Sequence, residues 1–263
     1  MSHALSPAHT RVSTLPNVWY AQQAHVQTIG TTLPFLQHEL VLNLGDEFSI
    51  SDATTADNML FSSIRTCSIE TKASGRYEAL GLLFRPEGVF EHYGRSVAEL
   101  RQAQSADDLL PGPRTELLQR LEAAHSVQDK IEATKAFLTK HSHQRTVPEI
   151  VTRFLQHVAL TPSHNLAQLS RTLHVSSKHL RSSVRTVLGV SPKKYLQLVQ
   201  LQHALNAMAS TPRLSMTACA LSTGFYDQAH FNRVFRKLTG MAPGAYYRRT
   251  NRGKFGECHT IMH

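Results

Sequence analysis

The sequence predicts an α+β architecture in which a β-rich domain with covering helices precedes an all-α domain. Three observations carry this. Apolar residues fall in short or alternating runs up to about residue 92, and take a helical period from Ser96 onward. Met1 to Glu149 holds 13 Lys and Arg against 17 Asp and Glu, net −4, whereas Ile150 to His263 holds 15 against 2, net +13. The 263 residues, 41% of them hydrophobic, suffice for one large or two ordinary domains.

Composition excludes several classes. Hydrophobic and aromatic residues are too frequent for a disordered tail. The longest apolar stretch, Ala79 to Phe84, is far below the roughly 20 residues of a membrane-spanning helix. No secretory signal is visible in MSHALSPAHT, which predicts a cytoplasmic protein. Cys67, Cys219 and Cys258 are odd in number and widely spaced, so they supply neither a disulfide framework nor a four-cysteine zinc site.

Between residues 15 and 92 the runs LPNVWY, HELVLNL, MLFSSI, CSIE and YEALGLLF read as strands, with turn-rich LGDEF and SDATTADN between them. Helical signals begin with the capping box Ser96 to Glu99 and continue through Leu117, Leu118 and Leu121 after Pro113. A second cap, Ser126 to Asp129, precedes Val127, Ile131, Lys135 and Leu138 on one helical face. A domain of residues 10–140 is expected, then a linker over 141–149, a helical domain over 150–250 and a frayed tail over 251–263.

The basic half contains an internal duplication. The first copy starts at Asn165, with Leu166, Ala167 and Leu169 on a short helix, a turn at Leu173-His174-Val175, and Ser176 or Ser177 capping a second helix. On that helix Leu180, Val184 and Leu188 form a stripe that leaves Lys178, Arg181, Ser182 and Arg185 outside it. The second copy has Ala218, Cys219 and Leu221, a turn at Thr223-Gly224-Phe225, Asp227 as N-cap, and a stripe of Phe231, Val234, Phe235 and Leu238. Gly224 suits a positive φ, and His174 occupies the matching turn. Both copies have helix-turn-helix spacing. Between them, Ser191-Pro192 opens a helical pattern of about 18 residues, roughly 27 Å long, which lets two recognition helices sit about one DNA turn apart. The density of positive charge makes nucleic acid the leading partner.

Asn165 to Arg248 resembles the DNA-binding domain of AraC/XylS-type transcription regulators. The likeness is strongest from Gly224 to Lys237, with Gly240 and Pro243 to Tyr246 after it; Gly189 to Pro192 and Tyr195 repeat the exit signature in the first copy. It implies a seven-helix unit with two helix-turn-helix motifs. Carried over by position, base contacts fall on Lys178, Arg181, Ser182, Gln228, Ala229, His230 and Arg233; Arg181, Gln228 and Arg233 suit guanine or adenine edges best. Lys193, Lys194, Arg236, Lys237, Arg248 and Arg249 are expected on phosphates, which position without specifying. Ser182, Gln200 and Tyr247 stand where the family commonly has basic residues.

The acidic half is similar to a β-rich domain found before this unit in many such regulators, through Trp19-Tyr20, Leu33-Pro34, Leu42 to Asp46 and Leu82 to Val89. The resemblance implies a cupin-like sensory or dimerisation module, with Trp19, Phe35, Phe84, Phe90 and Tyr93 read as core rather than cavity lining. Among the 16 histidines, His141 and His143 fall in the linker, and no H-x-H with a downstream carboxylate occupies the β-rich segment, so a cupin-type metal site is not expected. No G-x-S-x-G, H-E-x-x-H, P-loop or dinucleotide fingerprint occurs. A sequence-specific, non-enzymatic regulator is expected, with no cofactor and double-stranded DNA as partner. RNA polymerase, a small-molecule effector and a second copy of the chain are further partners this class allows.

Overall fold

The computed structural model describes residues 15–50, 54–160, 166–211, 213–250 and 260–262. Six strands open the described part of the chain: β1 (Asn17–Thr32), β2 (His38–Asn43), β3 (Glu47–Ile50), β4 (Thr54–Ala56), β5 (Met59–Ser62) and β6 (Ile69–Phe84). Helices α1 (Gly88–Tyr93), α2 (Val97–Leu100), α3 (Arg114–Glu122) and α4 (Val127–His141) follow. Seven more complete the described chain: α5 (Glu149–Leu160), α6 (Leu166–Thr172), α7 (Ser177–Leu188), α8 (Pro192–Ser210), α9 (Met216–Ser222), α10 (Gln228–Thr239) and α11 (Pro243–Thr250); a short strand, β7 (Thr260–Met262), comes last.

The strands form one antiparallel sheet in the order β4-β5-β2-β6-β1-β7, with β3 also on β6. β1 and β6 pair along their length, from Asn17 opposite Leu83 to Thr32 opposite Ile69, with a bulge where Ala24 and His25 face Arg76. Alternation divides the sheet's two faces. Leu40, Leu42, Phe61, Leu80, Leu82 and Phe84 pack with Val89, Tyr93, Val97, Leu117, Phe137 and Leu138 of the helices. Val41, Ile50, Leu60, Ile69 and Ala79 form a smaller cluster with Trp19, Phe48 and Tyr77.

Several local expectations need correction. CSIE and YEALGLLF are the two ends of one strand, β6, whose polar middle alternates exposed and half-buried residues against β1 and β3. β3 begins inside one stretch expected to be a turn and β4 lies within another, because pairing with β6 and β5 outweighs their polar composition. α1 comes before Ser96, where the helical period was expected to begin. On α4 the buried residues are Thr134, Phe137 and Leu138, whereas Val127 is 44% exposed. The Ser96 and Ser126 caps form as expected, each hydroxyl accepting the backbone N–H three residues on. Phe84, Phe90 and Tyr93 are core.

His38 is fully buried: the Ile64 N–H donates to Nδ1 at 3.1 Å, which leaves Nε2 to donate to the Pro86 carbonyl at 3.0 Å. Burial pushes its pKa down to about 4, against the raising effect of the Pro86 bond. The residue ties together Ile64 and Pro86, both beside the seam with the helical domain.

That seam is apolar and specific. Leu33, Ile64 and Phe90 join the same core as Phe154, Leu180, Leu198 and Phe235 of the helical domain. The Ser68 N–H donates to the Leu238 carbonyl at the end of α10, 2.8 Å away. Val97 presses on Gly189, the left-handed C-cap of α7, so closely that an added Cβ would meet Val97 Cγ1 at 2.7 Å. Arg145 donates to the Gly94 carbonyl and lies over the Phe90 ring. The N-terminal domain therefore touches the exit of each second motif helix, α7 and α10.

Candidate nucleic-acid interface

The first motif is α6, a turn and α7; Asn165, where the first copy was expected to begin, lies outside the described residues. His174 takes φ +54 in the turn, and Ser176 Oγ accepts the His179 N–H at 3.2 Å. Leu180, Val184, Val187 and Leu188 are buried. Lys178, Arg181, Ser182 and Arg185 are exposed on the opposite side, where the stripe left them.

The second motif repeats this plan through α9, a turn with Gly224 at φ +84, and α10. Asp227 Oδ1 accepts the His230 N–H at 2.6 Å, and Phe231, Val234, Phe235 and Leu238 are buried. Gln228, Ala229 and Arg233 are exposed, as are Asn232, Arg236 and Lys237. Asn232, Arg233, Arg236 and Lys237 line one open groove of about 500 Å³ along the helix.

Some side chains carry structural duties that the sequence did not announce. Gln228 Oε1 accepts a 2.6 Å hydrogen bond from Thr217 Oγ1, which joins the two helices of the motif and orients the amide. His230 is half-buried with its ring edge-on to Phe225 at 5.6 Å, and its Nδ1 is buried without a hydrogen-bond partner among the described residues. Its ring thus packs the turn as well as flanking the exposed face. The signal for this was available in the aromatic at Phe225, five residues before it.

α8 separates the motifs. Ser191 Oγ accepts the Lys194 N–H at 3.3 Å, Pro192 takes the first helical position, and 19 residues span about 28 Å. Gln200, where the family commonly has arginine, donates from Nε2 to the Gly224 carbonyl at 2.8 Å, so the rod fastens the second turn directly. Tyr247 accepts the Leu214 N–H and donates to the Thr211 carbonyl, holding α11 against the segment after α8.

Charge completes the surface. Among the described residues, every ion pair lies at or before His141, so no Lys or Arg of α5 to α11 is neutralised by a carboxylate. Of the residues expected on phosphates, Lys193, Arg236, Lys237, Arg248 and Arg249 are exposed. Lys194 is half-buried; burial, and then the neighbouring Lys237, hold its ammonium below the ordinary lysine range. The fold thus brings Lys194 from the exit of the first motif close to Lys237 from the second, near Cys67 of the N-terminal domain. No cluster of three or more potential metal ligands occurs among the described residues.

A family described as "Helix-turn-helix domain" matches residues 169–249. The chain is similar to the ornithine utilization regulator of Pseudomonas aeruginosa, 37% identical over 82 residues that make up 31% of this chain and 24% of the relative. It is also similar to the arabinose operon regulatory protein of Salmonella typhimurium, 30% identical over 88 residues, 33% of this chain and 31% of that one. A solved structure, the C-terminal domain of AraT, a response regulator from Geobacillus stearothermophilus, aligns with a TM-score of 0.38 at 25% identity, over 40% of this chain and 88% of that chain. The chain spans about a quarter to a third of the length of these curated relatives. With two capped, cation-bearing second helices on a common rod, residues 169–249 are an AraC-family helix-turn-helix DNA-binding domain.

Proposed function

We propose that the chain is a transcription regulator that reads a promoter by placing α7 and α10 in successive major-groove segments of one face of a duplex. The observation that carries this is electrostatic and geometric together. Two helices with capped N-termini turn Lys178, Arg181, Gln228 and Arg233 outward, and none of the cations has an ion-pair partner among the described residues. Unpaired cations are free to displace counterions from phosphates, which supplies affinity for any sequence, while Arg181, Gln228 and Arg233 supply donors and acceptors for base edges. Lys178, Ser182 and Ala229 complete the groove-facing set, His230 joins it through the side of its ring that Phe225 leaves uncovered, and Lys193, Lys194, Arg236, Lys237, Arg248 and Arg249 hold the backbone.

The N-terminal sheet is a cupin-like sensory module in this proposal, and its seats on the exits of α7 and α10 provide the route by which a bound effector alters DNA reading. RNA polymerase is the machinery recruited or blocked, and the cytoplasm, where a bacterial chromosome lies, is the compartment. The proposal requires no catalytic step. It is tested by selecting duplexes from a random pool with the full-length protein and comparing affinities at fixed salt. A selected duplex bound about 10³-fold or more tightly than random sequence supports it. A ratio near one would leave only sequence-tolerant DNA coating.

A further inference from the structure

The two motifs serve as references for each other. Their turns are built alike: the His174 N–H donates to the Arg171 carbonyl at 3.0 Å and the Gly224 N–H to the Leu221 carbonyl at 3.3 Å. Val175 and Phe225 likewise donate to the Ser170 and Ala220 carbonyls, both at 3.0 Å. These bonds match Arg171 with Leu221 and Val175 with Phe225, and beyond that point the motifs diverge. Ser176, the N-cap of α7, follows Val175 directly, whereas Tyr226 stands between Phe225 and Asp227, the N-cap of α10. The second turn is longer by one residue, and that residue is an aromatic.

The ring of Tyr226 is 87% exposed, more than any other large apolar side chain among the described residues, and Leu221 on the same turn is 59% exposed. The backbone around it is held on both sides. Phe225 is buried with its ring 5.0 Å from that of Phe231, and Asp227 caps α10. A rigid turn thus presents an unburied aromatic just ahead of Gln228, with an aliphatic neighbour. The first motif has exposed Arg171 in place of Leu221 and no counterpart of Tyr226.

We propose that Tyr226 is a specificity-determining residue whose ring packs on the C5 methyl of a thymine at the edge of the groove segment that α10 reads. The inference rests on the DNA-reading proposal and adds a base contact from the turn, outside both recognition helices. Position supports it, since the N-terminal end of a recognition helix is the part that approaches base edges. Chemistry selects thymine: major-groove edges offer hydrogen-bonding atoms, and the thymine methyl is the apolar group among them. A phosphate calls for a cation, and α10 carries exposed Arg236 and Lys237 for that purpose. Burying the ring against the methyl removes apolar surface from water, and Leu221 extends that surface.

The test replaces each thymine of the selected duplex in turn by deoxyuridine, which removes the methyl alone, and measures binding of the full-length protein at fixed salt. At one position wild type is expected to lose about fourfold in affinity, the worth of one buried methyl group. Tyr226→Ala is expected to be indifferent to uracil at that position, to bind the unmodified selected duplex more weakly than wild type, and to bind random sequence almost as well. Tyr226→Phe keeps the ring and should behave as wild type. Because Tyr226 is exposed, both variants should melt with wild type, which separates the contact from a defect in folding. Several results would overturn the proposal: no uracil position that weakens wild type, a uracil effect that persists in Tyr226→Ala, equal losses on selected and random duplexes, or a Tyr226→Phe loss as large as that of Tyr226→Ala, which would assign the hydroxyl to a phosphate. A wild type with no preference for the selected duplex would instead remove the DNA-reading proposal, and this contact with it.

Discussion

Replacing Arg236 by alanine tests one proposed phosphate contact. Arg236 lies in the last turn of α10, exposed, and no carboxylate pairs with it among the described residues, so its truncation leaves no buried charge behind. If its guanidinium meets one phosphate, the slope of log K against log salt becomes shallower by about 0.9. A fourfold rise from about 50 to 200 mM salt then costs wild type roughly 3.5-fold more affinity than the variant. The same change should appear on selected and random duplexes. Arg181→Ala should behave differently: from the exposed N-terminal half of α7 it should lose about 1 to 3 kcal/mol, roughly 5- to 150-fold, on the selected duplex and much less on random sequence. Anisotropy of labelled duplexes across four salt concentrations reads both quantities. Melting should be recorded alongside, because losing a last-turn cation costs α10 about 0.3 to 1 kcal/mol. An unchanged salt slope for Arg236→Ala, or equal losses on both duplexes for Arg181→Ala, would refute this division of labour.

Other perturbations test the framework beneath the interface. His38 is held neutral in the fold with its pKa at about 4, below the ordinary 6.5, so the unfolded chain binds its proton first as pH falls. Its contribution is complete above pH 6.5 and declines between 6.5 and 4 by about 3 kcal/mol. Urea unfolding of wild type and His38→Gln across that window should differ by this slope, and parallel curves would show that His38 does not carry it. Gly189→Ala should destabilise by about 2 to 4 kcal/mol, from the left-handed backbone at φ +72 and the collision with Val97. Adding Val97→Ala should recover part of that loss; no recovery would place the cost in the backbone alone. Asp227→Ala should cost about 1 kcal/mol in denaturant unfolding while Asp227→Asn costs almost nothing, since either Asp or Asn can accept the His230 N–H. Equal losses for the two would mean the charge matters rather than the cap.

The recognition helices were legible because their signals are local. Ser176 and Asp227 announce the starts, Gly189 and Gly240 the ends, and the buried stripes recur at helical spacing. His174 was placed in a positive-φ turn from its alignment with Gly224, and the backbone adopts it. The central apolar strands were legible for the same reason. β3 and β4 were not, since Glu47–Ile50 and Thr54–Ala56 owe their conformation to partners elsewhere in the chain. The buried face of α4 was misplaced because Val127 fits the apolar period yet lies in the first turn, beyond the edge of the sheet's core. Contacts between distant segments left no trace in local pattern: Val97 on Gly189, Ser68 on Leu238, Thr217 on Gln228 and Gln200 on Gly224 join residues whose spacing carries no period. The first two of these contacts determine how the N-terminal domain and the helix-turn-helix domain meet.

In the proposed mode of binding, one chain engages two groove segments held at a fixed separation by α8. Inserting five base pairs between the two half-sites of a selected duplex turns one half-site to the opposite face of the helix. Affinity should fall to that of a duplex carrying a single half-site. Undiminished binding to the extended duplex would mean that the two helices do not read it together.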